Sequence, residues 1–159
     1  MSKDIFKGFD KPSISLKNRI VMSAMTRGFS KNHLCTEEIA KYYERRAQNG
    51  VGLIITEGIV IHPSGDGYNG VPHISTVEQA ESWKQAISKV HDCNSKIVAQ
   101  LWHCGRISHS DYTDGKAPVS STDVAASGVN RQNNKPYGKP ESLDQSGIED
   151  IIQKYIHST

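Results

Sequence analysis

Residues 96–106 read KIVAQLWHCGR. Ile97, Val98 and Ala99 form a short apolar run, the pattern of a parallel strand covered on both faces. The run then turns abruptly into side chains that carry chemistry: Gln100, Trp102, His103 and Arg106. In α/β proteins, ligands sit at the C-terminal ends of such strands. This segment therefore reads as a strand that delivers a functional site, and the flanking sequence is judged by whether it supports one.

Upstream, Arg19–Thr26 (RIVMSAMT) predicts a first buried strand, preceded by an irregular lead-in over 1–18. Gly28–Leu34 is a loop. Thr36 is a good N-cap, and Glu37 and Glu38 suit the first turn of a helix over 37–49. Asn49-Gly50 can close it. Val51–Thr56 (VGLIIT) is a second short strand ending at Glu57-Gly58, followed by a long loop. Thr76 with Gln79 makes a capping box, and Ala80, Trp83, Ile87 and Val90 carry helical spacing, so 77–92 predicts one helix. Downstream, 107–140 is rich in Ser, Asn, Gly, Pro and Asp. It reads as a long excursion with a short hairpin around Ala117–Val119, the kind of loop that is usually functional. Ser146 with Glu149 marks a last capping box, before a helix carrying Ile148, Ile151, Ile152, Tyr155 and Ile156.

The order strand, helix, strand, helix, strand, loop, helix implies α/β units on a parallel sheet with right-handed crossovers. The last helix has no strand after it. Three parallel strands leave apolar edges open, so one alternative is a non-catalytic remnant without cofactor, in which the first and third strand edges would favour self-association.

The 159 residues fit one domain able to bury roughly two-thirds of its unfolded surface. Charge is nearly balanced, 19 Lys+Arg against 17 Asp+Glu, with no basic block, which excludes an electrostatic nucleic-acid footprint. Cys35, Cys93 and Cys104 are odd in number and form no CxxC pair. This points away from a disulfide framework and towards a reducing, cytoplasmic compartment. The start, MSKDIFKGF, lacks a signal-peptide core, and no apolar run is long enough for a membrane span.

Gly65, Gly67 and Gly70 fit GxGxxG literally, but Pro72 and several loop residues separate them from the next helix, so a glycine-rich βα loop is the better reading. The seven histidines are scattered and no metal site is expected. Gln100 is either a polar strand end or, through its donor and acceptor, a partner for a flavin or base edge. Thr26 could donate to a ring or cap a turn. Glu57 could be a base or could hydrogen-bond the first loop. Arg106 could bind an anion or anchor the long loop. Trp102 could pack or set the shape of a cavity.

Four stretches together resemble the old yellow enzyme family of FMN-dependent ene-reductases. They are LKNRIVMSAMTR (16–27), YYERRAQNGVGLIITEG (42–58), HPSGDGYNGVPHIS (62–75) and KIVAQLWHCGRISH (96–109). The likeness continues weakly through GKAPVSSTDVAASG (115–128). It implies a (β/α)8 TIM barrel with FMN over the C-terminal strand ends, of which residues 1–159 would form the first three βα units, with a long loop after the third strand. A whole barrel needs about 250 residues.

The resemblance further implies that NAD(P)H reduces the FMN and that a small-molecule activated alkene accepts the hydride. Ala24, Met25, Thr26, Gly58 and Gln100 would contact the flavin, and Tyr68 and Trp102 would shape the substrate side. Ala24 stands where the family has proline. In YGKPESLD (137–144), Glu141 or Ser142 stands where it often has arginine. The family's substrate-binding histidine pair, proton-donating tyrosine and phosphate-binding groups have no counterpart in these motifs. The chain alone is therefore expected to show little or no ene-reductase activity.

Overall fold

The computed structural model describes residues 3–159; residues 1 and 2 of the expected lead-in lie outside the described residues. The lead-in is not irregular. A 3-10 turn over Lys3–Phe6 precedes an antiparallel hairpin of β1 (Phe9–Lys11) and β2 (Ile14–Leu16), with Phe9 opposite Leu16. Pro12 and Ser13 supply its turn, the one place where a Pro costs such a ladder no hydrogen bond.

The centre is a three-stranded parallel sheet in the order β3 (Val21–Met22), β4 (Leu53–Val60), β5 (Lys96–Trp102). β3 is much shorter than the run 19–26 anticipated. It lies at an edge, pairs only Val21 with Leu53 and Met22 with Ile54, and beyond Met22 its backbone leaves the ladder. β4 is longer than anticipated. It continues through Glu57-Gly58 by inserting one extra residue between the pairs Ile55–Val98 and Gly58–Gln100. The Thr56 hydroxyl holds this bulge: it accepts from the Gln100 N–H (3.0 Å) and donates to the Glu57 carbonyl (2.8 Å).

Helix α1 (Glu37–Gln48) starts on Thr36, whose side chain accepts from the Ile39 N–H. Its apolar spacing puts Ile39, Tyr43 and Ala47 on the buried face. The helix expected over 77–92 is divided at Trp83 into α2 (Val77–Ser82) and α3 (Lys84–His91). The capping box of Thr76 and Gln79 is present. The division is a tightened turn in which the Trp83 N–H reaches the Ala80 carbonyl (3.1 Å) while the indole enters the core 6.2 Å from the Tyr43 ring. Cys35, Ile39, Tyr43, Ile54, Ile59, Trp83, Ala86 and Val90 form that core, between α1, α3 and one face of the sheet.

Two small ladders occupy the excursion. β6 (Val119–Ser120) pairs in parallel with β9 (Glu141–Ser142), and the hairpin is β7 (Val129–Asn130) with β8 (Lys135–Pro136), not at 117–119. Helix α4 (Gln145–His157) follows and buries none of its residues; Ile148, Ile152 and Ile156 are exposed. No helix among the described residues is long and apolar enough to cross a membrane.

The N-cap of α4 is Asp144, which accepts from the Gly147 N–H at 2.8 Å, rather than Ser146. Asp144→Ala should therefore cost about 1 kcal/mol of helix stability and speed amide exchange in the first turn of α4, whereas Ser146→Ala should leave both unchanged. The reverse ranking in hydrogen exchange would show that the sequence reading of the cap was the correct one.

Candidate functional site

Residues i and i+2 of a strand share a face, so Val98, Gln100 and Trp102 of β5 point the same way, with Gly58 and Val60 of β4 paired beside Gln100 and Trp102. Val98 and Gln100 are exposed. This is the sheet face not covered by α1 and α3. Its C-terminal end gathers the residues that the sequence singled out.

Gly58 and Gln100 are direct partners across the ladder. Trp102 turns its indole back over Gly58, where a Cβ would lie 2.8 Å from indole Cδ2 and closer still to Cε3. A side chain at position 58 would therefore collide with the indole. Tyr68 stacks on Trp102 with centroids 4.9 Å apart and planes tilted by 49°. Ala24, Met25 and Thr26 lie on the segment leaving β3, Met25 and Thr26 exposed. Neither the Thr26 hydroxyl nor the Gln100 amide is used by a protein group among the described residues.

Contacts bear on two alternatives left open by the sequence. The Glu57 carboxylate, fully buried, forms an ion pair with Arg27 of the first loop and accepts from the Tyr43 hydroxyl (3.3 Å). It is a structural anchor. Arg106 donates to the Val124 carbonyl (3.3 Å) and so anchors the excursion. The GxGxxG glycines are packing positions. A Cβ on Gly65 would overlap the His103 ring, one on Gly67 would crowd Cys104, and Gly70, with φ of 63°, abuts the Gly28 backbone.

The surroundings are electrostatically quiet. Burial, reinforced by Glu57, pushes the Cys35 thiol up to about 12; burial and then Asp66 do the same for Cys104, so neither is a thiolate near neutrality. Burial is also the main reason that the Tyr68 hydroxyl titrates above its ordinary value. Burial, then the charges of Lys154 and His62, push His103 down to about 4. His103 Nδ1 accepts from the Gly105 N–H (3.1 Å), which leaves the proton on Nε2, facing the Ser64 hydroxyl at 3.5 Å.

One grouping was invisible in the sequence. The rings of His33 and His73 lie 3.8 Å apart beside Asp66, so the histidines are not all scattered. Residues 33, 66 and 73 share no short motif, and only the meeting of two loops brings them together.

Comparison with known proteins agrees with this architecture. The model of the NADH:flavin oxidoreductase / NADH oxidase family matches residues 4–159. The chain is 36% identical over 157 residues to 12-oxophytodienoate reductase 7 of Oryza sativa subsp. japonica, covering 95% of this chain and 40% of that protein. Among solved structures, it overlays an old yellow enzyme homologue from Zymomonas mobilis with a TM-score of 0.90 and 34% identity, over 98% of this chain and 44% of that one. Morphinone reductase in complex with tetrahydroNAD gives a TM-score of 0.91 at 31% identity, over 99% and 45%. The chain thus spans less than half the length of these relatives, and its fold is that of part of their TIM barrel.

The depressed His103 sets a pH dependence. Unfolded, the imidazole titrates near 6.5; folded, it stays neutral down to about 4. Between these values the unfolded chain binds the extra proton, so stability is full above pH 6.5 and falls as pH drops towards 4. His103→Asn keeps an acceptor for Gly105 and removes the titration. It should lessen the loss between pH 7 and 4 by on the order of 2–3 kcal/mol in urea titrations. An unchanged slope would contradict a buried neutral imidazole.

Proposed function

The chain belongs to the NADH:flavin oxidoreductase / NADH oxidase family, and from that membership we propose that it carries the flavin-ring side of an old yellow enzyme type site. The family uses FMN, which, reduced by NAD(P)H, supplies a hydride; the proposed acceptor is an activated alkene. The residues of this chain bind and orient. The Gln100 amide offers both a donor and an acceptor to the pyrimidine edge of the ring. The Thr26 hydroxyl donates to a ring atom and so biases its electron affinity. Ala24 and Met25 line the ring, and Gly58, paired with Gln100 and lacking a side chain, lets the ring approach the backbone. Tyr68 and Trp102 wall the substrate side and exclude water from it.

The observation that carries this reading is the pair of unspent polar groups. Thr26, on the segment leaving β3, and Gln100, on the uncovered face of the sheet, are both exposed, and neither side chain has a protein partner among the described residues. That donor and acceptor set fits a flavin edge. An alkene on the substrate side would need electrophilic activation and a general acid, and the residues proposed for that side among the described residues are Tyr68 and Trp102.

A second reading has its own support. Among the described residues β3 and β5 each have one edge without a strand partner, and Val21 and Val98 beside them are 48% and 42% exposed. A chain that holds no cofactor and associates with itself through those edges would bury them.

FMN titration of the purified chain, followed by flavin absorption and fluorescence, separates the two. Wild type should perturb the flavin spectrum stoichiometrically, and Gln100→Ala should weaken binding about tenfold, the worth of one to two hydrogen bonds. A flat titration, with sedimentation showing concentration-dependent oligomers, would overturn the flavin reading in favour of the second.

A further inference from the structure

We propose that His33, Asp66 and His73 form a binding site for a divalent transition-metal ion of the Zn2+ type, which clamps the loop after β3 to the loop after β4. The three residues each offer one ligand atom, and these atoms lie within 4.8 Å of one another. Two imidazole nitrogens and one carboxylate oxygen are a borderline donor set, suited to Zn2+ or Co2+ rather than to Mg2+ or Ca2+.

The supporting shell is already in place. His33 Nδ1 lies 3.0 Å from the Val71 carbonyl. A carbonyl only accepts, so Nδ1 carries the proton and Nε2 keeps a free lone pair, as a metal-binding histidine needs. Asp66 Oδ1 accepts from the backbone N–H groups of Gly67 (2.7 Å) and Tyr68 (3.2 Å), which fixes the carboxylate and leaves Oδ2 to face His73 Nε2 at 3.0 Å. Two ligands about 2.1 Å from one tetrahedral ion lie roughly 3.4 Å apart, so this pair needs to part by about 0.4 Å to ligate. Binding requires a neutral His73 to exchange its Nε2 proton for one on Nδ1, so that both imidazoles coordinate as neutral ligands. Asp66 and His73 are buried, with side chains 8% and 4% exposed, whereas His33 is half-buried. The partly open His33 side leaves access for the ion and for a water as fourth ligand.

The backbone brings the donors together independently of the side chains. The His73 N–H donates to the His33 carbonyl (2.9 Å), and the Ser30 N–H donates to the Gly70 carbonyl (2.8 Å). His73 also bridges to Val60 at the end of β4. The stacked rings of His33 and His73 are therefore held in place by the loops that carry them. The ion would fix Asp66, two residues from Tyr68, but its binding needs neither flavin nor substrate.

The test uses the full chain, stripped with chelator and titrated with Co2+ by visible d–d absorption, then with Zn2+ by calorimetry and thermal melting. His33 has φ of 60°, a conformation that asparagine tolerates, so His33→Asn should fold while losing a ligand. Wild type should bind one ion with a ligand-field band of low symmetry and rise in Tm, reversibly with chelator. His33→Asn should bind at least about tenfold more weakly, with no shift in Tm. His91→Gln, an exposed histidine outside the cluster, should behave as wild type. Absence of the band and of binding heat in wild type would overturn the proposal. So would binding that His33→Asn leaves intact or that His91→Gln abolishes.

Discussion

The buried carboxylate of Glu57 is the constraint on which the strand ends depend. A charge with a fully buried side chain is several kcal/mol too costly unless paired and hydrogen-bonded. Two elements meet most of that demand, both at Oε1, while Oε2 is left without a hydrogen-bond partner among the described residues. Arg27 comes from the loop after β3, the Tyr43 hydroxyl from α1, and the Tyr43 oxygen also accepts the Glu57 N–H at 2.9 Å. Arg27 is itself held flat on Tyr42, 3.7 Å from its centroid, and Arg46 covers the other face at 3.4 Å. One ionised group thereby ties the first loop, the first helix and the second strand into one unit. Burial then holds the Tyr43 phenol protonated, well above its ordinary range, so it remains a hydrogen-bond donor at any physiological pH.

The same residue sets the geometry of the uncovered face. Glu57 sits in the bulge of β4, and Thr56 next to it takes the Gln100 N–H. The extra residue re-aims Gly58 and aligns it with Gln100. The indole of Trp102 can then fold over Gly58 and meet Tyr68. A polar, partly aromatic platform at the C-terminal end of a parallel sheet follows from one buried ion pair and one inserted residue.

Much of this was legible in the sequence, for local reasons. Thr36, the Thr76–Gln79 box and the apolar spacing of α1 each act within a few residues, and these elements appear where those signals stand. The segment 96–102 is a strand throughout. What failed depended on distant partners. Arg19–Thr26 has strand composition, but its ladder with β4 stops at the pair Met22–Ile54, although β4 itself runs on to Val60. Glu57-Gly58 looked like an ending because its stabilising partners, Arg27 and Tyr43, lie 30 and 14 residues away. Asp144 outcompeted Ser146 as a cap because its carboxylate reaches the Gly147 N–H. The approach of His33 to His73 arises from loop packing alone. The candidate ring-binding residues were found by motif, whereas the use of Gly58 by Trp102 needed three dimensions.

The most direct measurement is a double-mutant cycle between Arg27→Met and Glu57→Gln, read by urea unfolding. If the buried pair organises the strand ends, each single change should destabilise by several kcal/mol and the pair should couple by at least about 1.5 kcal/mol, the double mutant losing much less than the sum. Additive losses, with no coupling beyond about 0.5 kcal/mol, would show that Arg27 and Glu57 act independently and would remove the central constraint.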